Sequence, residues 1–411
     1  MHIGKNSIYE QLSSNEMERL RKYLDSRFAK RRSANKIGVV FDILHSCILR
    51  CVGCGTNACY QATETPVACA PSLKEIELVF QKLRTFSDDT GKDIFVNIGG
   101  GEPFLRSDIV EIIQLASSYF GCDNVGVDTN AALEHSDSMI RSVMPYLSYV
   151  GVSINGLKEY HNWWAHCDFD AFSRALHTVN SLCGTDEYRK KIEVTSVATK
   201  QNLNELPMLM ELLAQGGVMN YSVHRAMAVG RMSLHPELIP DAADYLRLFV
   251  DLLTASETNG LNFHIHHSIE SIHAALLLGI DTYAYDHIGN PDGLSSIGID
   301  PECNVVFDPW CTAGIWKKLS AGNLLTSNQS ISELIHAPNS VFEKAAACTS
   351  FSSKCNGCQV KCSGGSRIVA ATNSLRGRNI NNTSEEEIYT AMQTVDPACP
   401  LYVCQEGTET T

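Results

Sequence analysis

Short Val- and Ile-rich runs alternate with longer amphipathic stretches over the first two thirds of the chain. The runs are "KIGVVFDIL" (Lys36–Leu44), "DIFVNIGG" (Asp93–Gly100), "NVGVDTN" (Asn124–Asn130), "YVGVSIN" (Tyr149–Asn155), "KIEVTSVAT" (Lys191–Thr199), "NYSVHRAM" (Asn220–Met227) and "LNFHIHH" (Leu261–His267). Their length and β-branched content predict strands of a buried parallel sheet. The stretches between them carry apolar residues at helical spacing. "LKEIELVFQKLRTF" follows Ser72 and contains Glu75, a capping-box pair. "SDIVEIIQLASSYFG" is bounded by Ser107 and Gly121, and "DAFSRALHTVNSLCG", "LNELPMLMELLAQGG" and "DAADYLRLFVDLLTA" repeat the pattern. Residues 1–36 read as a helical lead, and 37–290 as the repeated strand–helix units of a parallel sheet or barrel, whose function lies in loops at the strand C-termini. Turn-rich "IGNPDGLSS" near residue 290 marks a boundary, and 291–411 forms a second, cysteine-rich region.

Composition narrows the class. A chain of 411 residues, 44% hydrophobic and 19% charged, builds a core without staples. Its 46 acidic and 33 basic residues give a net charge of −13, which disfavours nucleic acid as a partner. The basic run "RFAKRR" (Arg27–Arg32) reads as a solvated helix face. "AALLLGI" is too short to cross a membrane, and the first twenty residues lack a secretory apolar segment, so a cytoplasmic location is expected. In that reducing setting sixteen cysteines are not expected to form disulfides. Their clustering points to metal or cluster ligands.

The first cluster, "HSCILRCVGC", places Cys47, Cys51 and Cys54 at CxxxCxxC spacing directly after the first strand. Three thiolates there can grip three corners of a 4Fe–4S cubane and leave one iron open. They can equally hold zinc, with His45 as the fourth ligand. Spacing alone leaves both open. "GGGEP" (Gly99–Pro103) ends the second strand, "DTNAAL" (Asp128–Leu133) the third, "VSINGLKEYHNWW" (Val152–Trp164) the fourth, and "AVGRM" (Ala228–Met232) follows the sixth. In this order the five segments, over about residues 37–232, resemble the signatures of the radical S-adenosylmethionine (SAM) superfamily. The resemblance implies a partial (β/α)6 TIM-like barrel, a SAM-binding 4Fe–4S cluster on Cys47, Cys51 and Cys54, and SAM as cosubstrate. It implies that Gly100, Gly101, Glu102, Pro103, Asn130, Ser153 and Gly230 line the SAM site, with Glu102 facing the SAM amino group. It also implies that electron transfer from the reduced cluster cleaves SAM to a 5′-deoxyadenosyl radical, which abstracts hydrogen from a C–H bond. A reductant such as flavodoxin or ferredoxin is then a partner. Two residues depart from the pattern. Gly53 stands where an aromatic usually seats the adenine, which leaves Tyr60 as a candidate, and Asn155 stands for the aspartate of SxDG.

The tail holds Cys303, Cys311, Cys348, Cys355, Cys358, Cys362, Cys399 and Cys404. Four thiolates make a closed 4Fe–4S or a zinc site, and spacing alone favours zinc. "IDPECNVVFDPWC…AGNLL" and "CNGCQVKCSGGSR…DPAC" resemble the SPASM extension of the same superfamily, which carries auxiliary clusters. The resemblance implies one closed cluster on Cys355, Cys358, Cys362 and Cys399, and a second drawing on Cys303, Cys311, Cys348 and Cys404. Ser366 stands where the extension has a further cysteine. At the strand ends, His224, Arg225 and His266 are candidate substrate contacts. The expected activity is peptide or protein maturation by oxidation or cross-linking. Alternatives are dehydrogenation, epimerisation or deoxygenation of a small metabolite such as a sugar or aminocyclitol, and a zinc-stapled scaffold without catalysis. Only about 36 residues precede the first strand, short for a leader-binding domain, which counts against the peptide reading.

Overall fold

The structure is a computed structural model that describes residues 8–31, 36–60, 70–266, 269–280, 296–312, 314–348, 366–375 and 383–400. Ten strands form one sheet in the order β12-β11-β10-β1-β4-β5-β6-β7-β8-β9. They are β1 (Lys36–Asp42), β4 (Asp93–Gly99), β5 (Val125–Thr129), β6 (Tyr149–Ser153), β7 (Ile192–Ala198), β8 (Asn220–Arg225), β9 (Asn262–Ile265), β10 (Ser296–Ile299), β11 (Asn304–Val306) and β12 (Ser320–Asn323). All neighbours from β10 to β9 run parallel; β11 and β12 are antiparallel additions. Two short strands, β2 (Ser46–Cys47) and β3 (Cys59–Tyr60), pair beside the sheet.

Helices follow the strands because their sequences carry start and stop signals. Helix α2 (Leu73–Thr90) opens on the Ser72/Glu75 capping box and ends on Gly91 at φ 65°, a left-handed position that suits glycine. Helix α3 (Ile109–Phe120) has Asp108 rather than Ser107 at its N-cap, and the Asp108 carboxylate is turned to Arg106 at 2.7 and 2.8 Å instead of capping the helix. Helix α9 (Ala242–Asn259) has its own capping box, Asp241 with Asp244. In the N-terminal helix α1 (Ser14–Arg31), Leu20, Leu24 and Phe28 are fully buried in the main core. Arg27 of the basic run is not free on a solvated face: its Nε lies 3.3 Å from Glu270 of α10 (Ile269–Leu278).

Burial alternates along the strands with period two, which separates two faces. In β7, Ile192, Val194, Ser196 and Ala198 are buried, whereas Glu193, Thr195 and Val197 are half-buried. The half-buried face carries the polar side chains: Asn97, Asp128, Tyr149, Glu193, His224, His264 and His266. The sheet also runs through the boundary expected near residue 290, since β10 pairs directly with β1, Gly38 opposite Ser296.

Candidate active site at the strand ends

Cys47, Cys51 and Cys54 lie on the loop that leaves β1, held from three sides. Behind them, the GGGEP turn at the end of β4 hydrogen-bonds into the loop: Gly101 N donates to Leu44 O (2.9 Å) and Glu102 N to Ser46 O (2.8 Å). This approach requires glycine. A Cβ on Gly101 would stand 1.9 Å from Ser46 O, and one on Gly100, at φ 126°, 2.5 Å from Leu44 O. Gly101→Ala is therefore expected to destabilise the fold by about 1–3 kcal/mol through overpacking, read as a lowered denaturation midpoint together with reduced iron content.

From the second side, Gly230 at φ 53° brings its own segment against the loop, and a Cβ there would lie 2.2 Å from Cys54 O. The next residue, Arg231, donates through its backbone to Cys54 O (2.9 Å) and through its guanidinium to Cys51 O (2.8 Å) and Ala58 O (2.7 Å). From the third side, helix α5 (Lys158–Ala165) receives Arg50 N on Ala165 O and Val52 N on Trp164 O. Trp164 also explains Gly53. A side chain at 53 would meet Trp164 at 2.3 Å and Met232 at 2.4 Å, so the space is already filled by an indole from another element. Tyr60, the candidate named from the sequence, has its side chain outside the described residues, as does Cys59.

Glu102 is fully buried, and its carboxylate accepts from Phe104 N (3.1 Å), Thr129 Oγ1 (2.8 Å) and Asn130 N (2.8 Å). Burial pushes its pKa up to about 7, against the pull of these donors. The sequence reading aimed this carboxylate at the SAM amino group. What it visibly does is lock the GGGEP turn to the end of β5. Pro103 opens the short 3₁₀ turn that follows, and Asn130 Nδ2 reaches Cys47 Sγ at 3.6 Å. Ala131 takes φ 50°, a left-handed conformation in which glycine is usual. Asn155 is buried, accepts from Val197 N (2.8 Å) and thereby ties the end of β6 to β7, a task for which no charge is needed. Ser153 is half-buried at the end of β6.

The three thiols suit a cluster better than a single ion. Burial, then repulsion from neighbours, raises Cys47 to about 12 and Cys51 well above the ordinary thiol range. Three thiolates on one loop, Cys47 buried and Cys51 and Cys54 half-buried, need a positive centre. Cys47 Sγ already accepts from Leu49 N (3.4 Å) and Cys54 Sγ from Ala58 N (3.3 Å). Arg231 Nη2 is buried with no hydrogen-bond partner among the described residues, as expected of a cation awaiting an anionic group. A lone tetrahedral zinc needs its ligand atoms close together, at about 2.3 Å from the metal. Among the described residues the three thiols do not form a set lying within 4.8 Å of one another. His45, the candidate fourth zinc ligand, turns to Glu302 at 3.1 Å.

Comparison with known proteins bears on the resemblance. No family model matches the chain. It is 26% identical over 214 residues to Fe-coproporphyrin III synthase of Methanosarcina barkeri, covering 52% of this chain and 49% of that protein. It is 24% identical over 303 residues to mycofactocin maturase MftC of Mycolicibacterium smegmatis, covering 71% and 68%. The chain spans about half the length of the first curated relatives it matches. Its fold matches Streptococcus suis SuiB bound to S-adenosylmethionine with a TM-score of 0.64 at 16% identity, over 92% of this chain and 80% of that one. It matches anSMEcpe with bound AdoMet and Cp18Cys peptide with a TM-score of 0.63 at 14% identity, over 90% and 95%. The chain resembles radical SAM enzymes in sequence and in fold. The partial TIM-like barrel expected from the sequence is its fold.

Of the candidate substrate contacts, His224 and His266 lie together on the half-buried face, and Arg225 does not. His224 is half-buried and stacks on His266 at 4.3 Å between ring centroids. Desolvation pulls its pKa down to about 4, so it is neutral at pH 7. Arg225, expected to meet substrate, does not reach that face. Adjacent strand residues point opposite ways, and Arg225 lies on the helix side, 3% exposed, in a two-bond ion pair with Asp396 at 2.8 and 2.9 Å. Asp396 also accepts from Ser366 N (3.0 Å) and Ala398 N (2.9 Å), and Cys399 N donates to Asp396 O (3.0 Å).

Of the tail ligands, Cys355, Cys358, Cys362 and Cys404 lie outside the described residues. Cys399 is half-buried in the turn that Asp396 organises. Cys311 and Cys348 are buried and both neighbour Tyr389. Cys303 occupies a left-handed position (φ 65°) in the turn between β10 and β11, and its charged neighbours are Asp300, Glu75 and Glu302. Ser366, standing where the SPASM extension has cysteine, caps the helix Arg367–Ser374 by accepting from Val369 N. Sequence reasoning missed two residues. Arg231 was in view as the neighbour of Gly230, in a motif read only for its glycine. Trp164 closes a quoted segment without a role of its own, and its indole fills the place left by Gly53.

Proposed function

We propose that the chain is a radical SAM maturase that acts on a C–H bond of a peptide or protein substrate. The observation that carries this reading is the interlocked pair of loops at the ends of β1 and β4, where the three-thiol segment and the GGGEP turn hydrogen-bond to each other. Bound there, a reduced 4Fe–4S cluster with SAM supplies a radical strong enough to take hydrogen from an unactivated carbon. The protein's own residues hold and shield that chemistry. Cys47, Cys51 and Cys54 ligate, Arg231 fixes the ligand loop and offers it positive charge, Gly100 and Gly101 let two backbones touch, and Glu102 with Asn130 keeps the turn in register. Asn155 pins the fourth strand end, and Trp164 closes the side that Gly53 leaves open. Cys355, Cys358, Cys362 and Cys399 are proposed as ligands of an auxiliary cluster, with Cys311 and Cys348 as candidates for a second.

A peptide substrate is supported by solved neighbours whose bound partners are a precursor peptide and the Cp18Cys peptide. A non-peptide substrate is favoured by the relative Fe-coproporphyrin III synthase. No helix among the described residues is long and apolar enough to cross a membrane. A flavodoxin- or ferredoxin-type reductant is part of the same proposal. Anaerobically reconstituted protein given SAM and dithionite is expected to release 5′-deoxyadenosine and methionine. Release that rises with candidate peptides and not with porphyrins supports the maturase, and the converse supports the tetrapyrrole reading. No release under either condition overturns radical SAM activity.

A further inference from the structure

Away from the cysteine loop, three donor side chains converge on the half-buried face of the sheet. Glu193 is on β7; His264 and His266 are on and just beyond β9. One ligand atom from each lies within 4.8 Å of the others, and the two histidine Nε2 atoms are 2.6 Å apart. Register explains the convergence. Ser222 of β8 sits opposite both Thr195 and His264, and its small side chain lets long side chains on the flanking strands meet across it. His264 and His266 share a face because they are two residues apart on an extended segment. Their rings meet edge to face at 4.1 Å, and His224 stacks on the outer side of His266.

We propose that Glu193, His264 and His266 bind one borderline divalent transition-metal ion, of the zinc(II) or iron(II) class. Two imidazoles and one carboxylate are a donor set for such ions, and three protein ligands leave coordination positions open on the same face as His224. The surroundings favour added positive charge. The Tyr149 phenol lies against both Asp128 and Glu193, and Asp128 is bonded to Asn97 Nδ2 at 2.6 Å. Burial and then Asp128 raise the Glu193 pKa, while Ser222, Arg27 and Tyr149 oppose the rise; Arg27 is itself paired with Glu270. His224 stays neutral and adds no competing cation. The site is independent of the radical SAM reading, because none of its donors belongs to a motif of that family.

The test uses the cluster-loaded protein. Dialysed anaerobically against limiting zinc(II), it is expected to retain about one zinc per chain. The zinc X-ray absorption edge is expected to show nitrogen and oxygen neighbours with imidazole scattering and no sulfur shell at about 2.3 Å. Glu193→Gln and His266→Gln are each expected to weaken zinc binding by more than the roughly 100-fold that loss of an outer partner costs, with iron content and circular dichroism unchanged. A sulfur shell in the wild-type spectrum, or zinc retention unaltered in both variants, overturns the proposal. So does wild-type protein that keeps no zinc, which would leave the two histidines a simple hydrogen-bonded pair.

Discussion

Replacing Cys47, Cys51 and Cys54 together by Ala is expected to remove about four irons per chain and to abolish SAM cleavage. The size of the effect follows from the geometry. The three thiols are the only cysteine side chains on the loop between β1 and α2 that the structure describes, and Arg231, Gly101 and Trp164 all brace that loop. No neighbouring cysteine on the GGGEP turn or the Gly230 segment can take their place. Iron held by the tail cysteines is expected to stay, because none of the described ones, Cys303, Cys311, Cys348 and Cys399, lies on that loop. Iron analysis and a single-turnover 5′-deoxyadenosine assay read both halves. Retained cleavage in the triple variant would move the SAM cluster to another site. Full loss of iron would mean that the tail clusters depend on the first one.

The second large effect is expected at Arg225. Its guanidinium and the Asp396 carboxylate are 1% and 0% exposed, so Arg225→Met leaves a carboxylate buried without its cation. Breaking such a pair on one side costs about 3–5 kcal/mol. Restoring neutrality with Arg225→Met/Asp396→Leu is expected to recover part of that loss, although Ser366 N and Ala398 N then lose their acceptor. Burial pushes the Asp396 pKa up, but Arg225 outweighs it and the net shift is downward. A lowered folded-state pKa means that this contribution is present above the ordinary carboxylate range and fades as pH falls through the folded value. Denaturant midpoints of the single and double variants, taken at neutral and acid pH, test this. A single variant as stable as the wild type would show that the pair contributes nothing. Because Asp396 also sets the turn bearing Cys399, the single variant is further expected to hold less iron.

Much of the fold is legible in the sequence because parallel strands and capped helices leave local marks. Each of the seven expected strands forms within two residues of its expected ends. Ser72 with Glu75 and Gly91 bounds α2 by chemistry that acts over a single turn. The three-thiol loop is legible for a similar reason, since three thiols in eight positions are a local pattern. What was not legible depends on partners distant in sequence. Gly53 looked like a missing aromatic until Trp164 was seen in its place. The pairing of β10 with β1 joins segments that no pattern of spacing connects. Arg225 is the exception, a signal that was present and misread. Alternation along "NYSVHR" puts His224 and Arg225 on opposite faces, so both could not meet one substrate. The same alternation, applied to "KIEVTSVAT" and "LNFHIHH", sets Glu193 apart from its apolar neighbours and puts His264 and His266 on one side.

The place of β10 bears on how the chain is made. β1 leaves the ribosome early, yet the neighbour on one of its two edges is encoded about 260 residues later. At about 5–20 residues per second, that edge waits roughly 13–50 seconds for its partner. During that interval "KIGVVFD" presents unpaired backbone flanked by apolar side chains, the kind of surface that recruits other nascent strands. Translation arrest before Ser296 would therefore yield a product in which the barrel segment is nearly complete in sequence but prone to aggregate. A chaperone that shields strand edges would be needed most during synthesis of the last third of the protein.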